Sequence, residues 1–185
     1  MKHFISRRNF LKAAGVTAAA SAMAAAVPQA SAGFLTGKDA AVTILYTNDV
    51  HTYIDNMSPK LTYAAIAAMK QGYVDEGKPV LLVDAGDHIQ GTAYGSMDDG
   101  ATIIELMNEA GYDIATPGNH EFDYGMARAK AIIKEADFPY VSCNWVDLRT
   151  GLRVLPAVKL FPAGGKWIPF VGISLLYPSD SADEL

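Results

Sequence analysis

Short runs of consecutive apolar residues, each closed by polar side chains, set the pattern of this chain. Val42-Thr43-Ile44-Leu45-Tyr46-Thr47 is rich in β-branched and aromatic residues and predicts a buried strand, which runs into Asn48-Asp49-Val50-His51. Pro79 introduces Val80-Leu81-Leu82-Val83, a second apolar strand ending in Asp84-Ala85-Gly86-Asp87. Tyr112 to Ala115 predicts a third, shorter strand, followed by Thr116-Pro117-Gly118-Asn119-His120-Glu121-Phe122-Asp123. A fourth strand is expected at Tyr140 to Cys143.

Helical spacing separates these runs. Ser58-Pro59 is a good helix start, with Ser capping and Pro in the first turn. Leu61, Ala64, Ala65, Ala68 and Met69 then form an apolar face up to Gly72. Ala101 to Ala110 predicts a helix with Ile103, Ile104, Leu106 and Met107 inward, closed by Gly111, and Gly125 to Ala136 predicts another. Strands alternating with helices imply βαβ units and a largely parallel sheet, an α/β fold. The tail differs: Leu155 to Phe161, then Ala163-Gly164-Gly165-Lys166, then Trp167 to Leu175 reads as a hairpin turning at the glycines.

Composition changes this picture mainly at the amino terminus. Ser6-Arg7-Arg8-Asn9-Phe10-Leu11-Lys12 is a twin-arginine export signature, followed by an alanine-rich apolar run from Ala13 to Val27 and a small-residue cleavage site at Ala30-Ser31-Ala32. The apolar run, about 15 residues long, falls short of the roughly 20 that a bilayer span needs, so no stable membrane anchor is expected. The organisation read here is a leader over 1–32, a tether over 33–41 and one folded unit over 42–185. Export by the twin-arginine machinery places the mature chain in the periplasm or outside the cell. The leader carries four basic residues (Lys2, Arg7, Arg8, Lys12) and no acidic one, so its removal takes the net charge from −5 to −9. A surface this acidic argues against a nucleic-acid partner, while a small phosphate ester remains compatible if metal ions supply local positive charge. The single Cys143 cannot form an internal disulfide, and its apolar setting reads as a small buried residue rather than a nucleophile.

The candidate chemistry lies where the strands end. Asp49 and His51 follow the first strand, Asp84, Asp87 and His88 the second, and Asn119 and His120 the third. Functional groups of open α/β sheets gather at the carboxyl ends of strands. Residues two apart on an extended chain face the same way, which would let Asp49 and His51 bind one ion together. Mixed carboxylate, amide and imidazole ligands suit a divalent ion of the zinc, manganese or iron type. Asp123, three residues after His120, is placed to orient its ring. Glu121 reads as bracing the loop rather than catalysing, and the His88 side chain is expected to point away from the ions.

Asp49-Val50-His51, Gly86-Asp87-His88-Ile89-Gln90-Gly91-Thr92 and Gly118-Asn119-His120-Glu121-Phe122-Asp123, in this order, resemble the calcineurin-like metallophosphoesterases, 5′-nucleotidase branch. The resemblance spans Val42 to Tyr177. It implies a two-metal hydrolase of nucleotide phosphate esters, with two divalent ions such as zinc or manganese. Asp49 and His51 would hold the first ion, Asp87 would bridge both, and Asn119 would hold the second. His120, paired with Asp123, would contact the phosphate and assist leaving-group departure, with Asn119 also near the substrate.

The family's pattern continues with a Gly-His-x-His motif that is absent here, since the histidines are His3, His51, His88 and His120 only. The expected fold is therefore a partial metallophosphatase sandwich lacking its second half, holding at most one ion, with doubtful activity of its own. Two other readings stay open: a non-catalytic exported domain that binds metal or phosphate, and a hydrolase of the same fold acting on cyclic nucleotides or sulfur compounds.

Overall fold

The computed structural model describes residues 41–54 and 62–174. Strands β1 (Thr43–Thr47) and β2 (Val80–Asp84) pair in parallel, Thr43 opposite Val80 and Thr47 opposite Asp84. Strand β3 (Ile114–Ala115) joins β2 with Ala115 opposite Asp84, giving the order β1-β2-β3. Ala115 then makes one parallel bridge to Tyr140. Thr47, Asp84 and Ala115 thus stand in one row, and the loops that follow them leave the same edge of the sheet.

Helix α1 (Tyr63–Asp75) begins at Thr62, whose hydroxyl accepts the Ala65 amide at 3.2 Å. The expected start at Ser58-Pro59 lies outside the described residues. The expected inward face is corrected: Tyr63 and Ile66 are buried, whereas Ala68 and Met69 are exposed. Alanines recur all round this helix and mark no face, so the larger Tyr63 and Ile66 settle it. Lys70 points the same way and pairs with Asp113 at 2.7 Å. The helix also continues past Gly72 to Asp75.

A single turn, α2 (Ala93–Ser96), follows Thr92, and α3 (Ala101–Ala110) occupies its predicted residues. Ile103, Ile104 and Met107 of α3 are fully buried with Leu82 of β2 and Ile132 of α4 (Met126–Glu135). Burying each such side chain contributes about 1.5–3 kcal/mol, which anchors β2 from one side. At the end of α3 the Gly111 amide donates to Asn108 and that of Tyr112 to Met107, a Schellman closure. Tyr112 therefore belongs to the helix end, and β3 is shorter than the Tyr112 to Ala115 expected.

The fourth strand is also reduced, to the single bridge at Tyr140. Beyond it the Ser142 amide donates to Pro156 and that of Cys143 to Gly172, so the chain leaves the sheet to meet the tail. Cys143 is half-buried rather than buried. The hairpin pairs β4 (Val158–Ala163) with β5 (Lys166–Val171) around Gly164-Gly165, both with positive φ (57° and 73°), as a tight two-residue turn requires.

Candidate metal centre

The backbone pairing of β1 with β2 continues beyond both strands. The Ala85 amide donates to Thr47, that of Asp49 to Gly86, and that of His51 to Asp87 at 2.9 Å. These bonds zip the loop after β1 onto the loop after β2. Asp49, His51, Thr52 and Asp87 all have left-handed backbones, with φ between 47° and 59°. Such conformations cost of order 1–3 kcal/mol each in non-glycine residues and concentrate at functional sites. Asp49 and His51 are consequently not on an extended segment as expected. They meet through a turn, with Asp49 Oδ1 3.7 Å from His51 Nε2.

One ligand atom each from His51, Asp87 and His120 lie within 4.8 Å of one another, the one such group of three His, Cys, Asp or Glu side chains among the described residues. The two imidazole rings meet edge to face, 5.0 Å between centroids. Each is pinned on its far side. His51 Nδ1 is 3.0 Å from the Gln90 carbonyl oxygen, and His120 Nδ1 is 2.7 Å from Asp123 Oδ2. A carbonyl and a carboxylate can only accept, so both rings carry a proton on Nδ1, which leaves Nε2 as the atom each can offer to an ion or a proton. That is the usual arrangement of metal-ligating histidines. Two imidazoles and a carboxylate, all half-buried, form a donor set that fits a divalent ion.

Two of the three groups have shifted pKa values. Partial burial pushes the Asp87 carboxyl above its ordinary range, Glu121 adds to the rise, and the His120 amide, 2.8 Å from Oδ1, opposes it. A nearby cation is the charge that would favour the ionised form. The Asp123 hydrogen bond likewise raises His120 above its ordinary value, against the smaller effect of burial.

The remaining polar residues of these loops separate into two groups. Asn119 is half-buried and directly precedes the cluster's His120 at the 3-10 turn His120–Phe122, its side chain making no capping bond. Asp84 and His88 lie beneath it, fully buried. Asp84 accepts from Thr47 Oγ1 (2.6 Å), the Gly86 amide and His88 Nδ1 (2.7 Å), while His88 Nε2 meets the Tyr140 hydroxyl at 2.8 Å. Burial opposes a charge on His88, but Glu121 and Asp84 outweigh it and push the ring up to about 9. The sequence showed neither the Tyr140 partner nor the Gln90 carbonyl, since neither contact has a local signature.

Fold and site together define an α/β protein with a candidate divalent-metal centre at the carboxyl ends of its strands. The Calcineurin-like phosphoesterase family matches residues 42–183, and the chain belongs to that family. Residues 5–27 match the twin-arginine translocation pathway signal sequence, which indicates export across a membrane. Among the described residues no helix is long and apolar enough to cross one. The chain is 39% identical over 114 residues to the snake venom 5′-nucleotidase of Gloydius brevicauda, covering 56% of this chain and 19% of that protein. It is 36% identical over 149 residues to the 5′-nucleotidase of Homo sapiens, covering 71% and 26% respectively. The solved 5′-nucleotidase precursor from Thermus thermophilus superposes with a TM-score of 0.64 at 26% identity, over 77% of this chain and 33% of that one. The chain thus spans about a fifth to a quarter of the length of these curated relatives (19% and 26%).

Proposed function

We propose that residues 42–185 form the metal-bearing amino-terminal portion of a phosphoesterase acting on nucleotide phosphate esters, exported to the periplasm or beyond by the leader over 1–32, with 33–41 as tether. The observation that carries this reading is the convergence of His51, Asp87 and His120, with both imidazoles pinned at Nδ1. That these relatives are 5′-nucleotidases supports the substrate class.

In this reading Asp49 and His51 would hold one ion, Asp87 would serve both, and Asn119 would serve a second. When bound, divalent ions neutralise phosphoryl charge and acidify a water. His120 keeps its Nδ1 proton on Asp123, so its Nε2 faces the cluster and can carry the proton that a leaving oxygen takes. In the metal-free chain the Asp123 hydrogen bond raises the His120 pKa, which favours the protonated ring.

Counted from this chain alone, each ion would receive two or three protein groups. Catalytic zinc ordinarily has three protein ligands and an open position. The 185-residue chain is therefore expected to bind at most one ion weakly and to turn over substrate near background. The test is elemental analysis of purified chain, together with hydrolysis of AMP and a chromogenic phosphate ester in added manganese or zinc. Two tightly held ions with metal-dependent turnover would overturn the ligand count. Failure to bind either metal at millimolar concentration would overturn the metal reading.

A further inference from the structure

Glu121 lies next to the candidate proton donor, yet it cannot touch a substrate or an ion. Its residue is 2% exposed, in a run whose other carboxylate, Asp123, is 39% exposed. A carboxylate withdrawn from water in this way is costly unless hydrogen bonds and opposite charge replace its hydration. Here four backbone amides do so. Oε2 accepts from Gly118 (2.6 Å) and Asp87 (2.8 Å), and Oε1 from His88 (2.9 Å) and Ile89 (3.3 Å). The His88 ring, 3.5 Å from Oε1, supplies a neighbouring donor group.

The four amides come from two loops. Asp87, His88 and Ile89 follow β2, whereas Gly118 belongs to the loop that carries Asn119 and His120. Successive amides that point into one concavity form a nest of the kind that ordinarily captures an external anion. In this chain the anion is built in. The loops also run in backbone contact: a Cβ on Gly86 would sit 2.4 Å from the Gly118 nitrogen, and one on Gly118 would sit 2.2 Å from Asp87 Oδ1. Without a shared acceptor, converging N–H groups at that distance would repel and the loops would part.

We propose that Glu121 is the positioning residue of the metal centre, holding Asp87 and His120 at their observed spacing before any ion binds. The inference deepens the metal reading above and rests on it for the centre's purpose, but the clamp itself is a property of the metal-free chain. The alternative is that the ions pull the two loops together, with Glu121 merely filling space.

Amide hydrogen exchange of the chain in excess chelator separates these two accounts. Glu121 as clamp predicts that the amides of Asp87, His88 and Gly118 are protected roughly a hundredfold or more without metal, as buried hydrogen-bonded groups are. Zinc should change that protection little. In Glu121→Gln one oxygen becomes a donor facing amides, so protection of these three should fall while that of Leu81 and Leu82 in β2 persists. Zinc affinity, measured by calorimetry, should drop about tenfold or more, as happens when groups supporting a ligand are removed. Ile132→Ala, in the same core but on α4, controls for lost stability and should leave zinc affinity within about threefold.

Unprotected amides in the metal-free wild-type chain would overturn the proposal, as would an equal loss of zinc affinity in Ile132→Ala and Glu121→Gln. Should Glu121→Gln not fold, the wild-type exchange pattern decides alone. Should the wild-type chain bind no zinc, the metal reading falls, while the exchange pattern still tells whether Glu121 clamps the loops.

Discussion

Gly118 and Asp87 are in van der Waals contact through a gap that no side chain fits: a Cβ on Gly118 would stand 2.2 Å from Asp87 Oδ1 and 2.8 Å from the Asp87 nitrogen. The same carboxylate oxygen accepts the His120 amide at 2.8 Å. The position of Asp87 is therefore set by backbone from the neighbouring loop.

Gly118→Ala should displace that loop. Overpacking against backbone costs about 1–3 kcal/mol, and the displacement would separate Asp87 from His120. The expected result is a melting temperature lowered by several degrees and zinc affinity reduced about tenfold or more. Calorimetry and thermal unfolding check both. Unchanged zinc affinity would mean that the Gly118 contact does not position Asp87.

His120 and Asp123 face each other at 2.7 Å, half exposed, and the carboxylate holds the ring above its ordinary pKa. Asp123→Asn removes that charge, so the His120 pKa should fall toward the ordinary value. Histidine NMR titration of the metal-free chain reads this directly. A His120 pKa that stays put in the variant would assign the rise to other groups.

His88 titrates in the opposite setting, fully buried between Asp84, Tyr140 and Glu121, with its pKa pushed up to about 9 from an ordinary 6.5. For a cation whose folded pKa is raised, the stabilisation is fully present below the unfolded value and is lost as pH rises through the folded one. Between pH 6.5 and 9 the folded chain holds a proton that the unfolded chain releases. Stability of the metal-free chain should fall across that window, by at most about 1.4 kcal/mol per pH unit from this group. Denaturant unfolding at successive pH values measures the slope. It should flatten in His88→Gln, and an unaltered slope there would place the proton elsewhere.

Arg7 and Arg8 carry the export reading, and residues 5–27 match the twin-arginine signal. Changing both to lysine should leave an unprocessed precursor in the cytoplasm, seen by fractionation and immunoblotting. Normal export of the double variant would remove the twin-arginine route.

Local pattern alone was enough to determine several elements. The β1 and β2 runs, the α3 helix with its four inward residues and the Gly-Gly hairpin turn each depend on neighbours in sequence, through burial period, helix closure and turn chemistry. The candidate residues were legible for the same reason. Asp49, His51, Asp87, Asn119, His120 and Asp123 each follow a strand-like run, and parallel strands in register bring their ends to one edge.

Tertiary structure decided what those residues face. The inward side of α1 was settled by Tyr63, Ile66 and the Lys70–Asp113 pair, because its many alanines define no side. Asp49 and His51 meet through left-handed turns, since pairing with the loop after β2 overrides the extended path. Whether Glu121 braces one loop or joins two, and whether His88 is solvated or buried, depended on amides and hydroxyls more than 30 residues away in sequence. Hydrogen bonds between distant loops leave no periodicity in a sequence. They exist only once the sheet has placed the strand ends side by side.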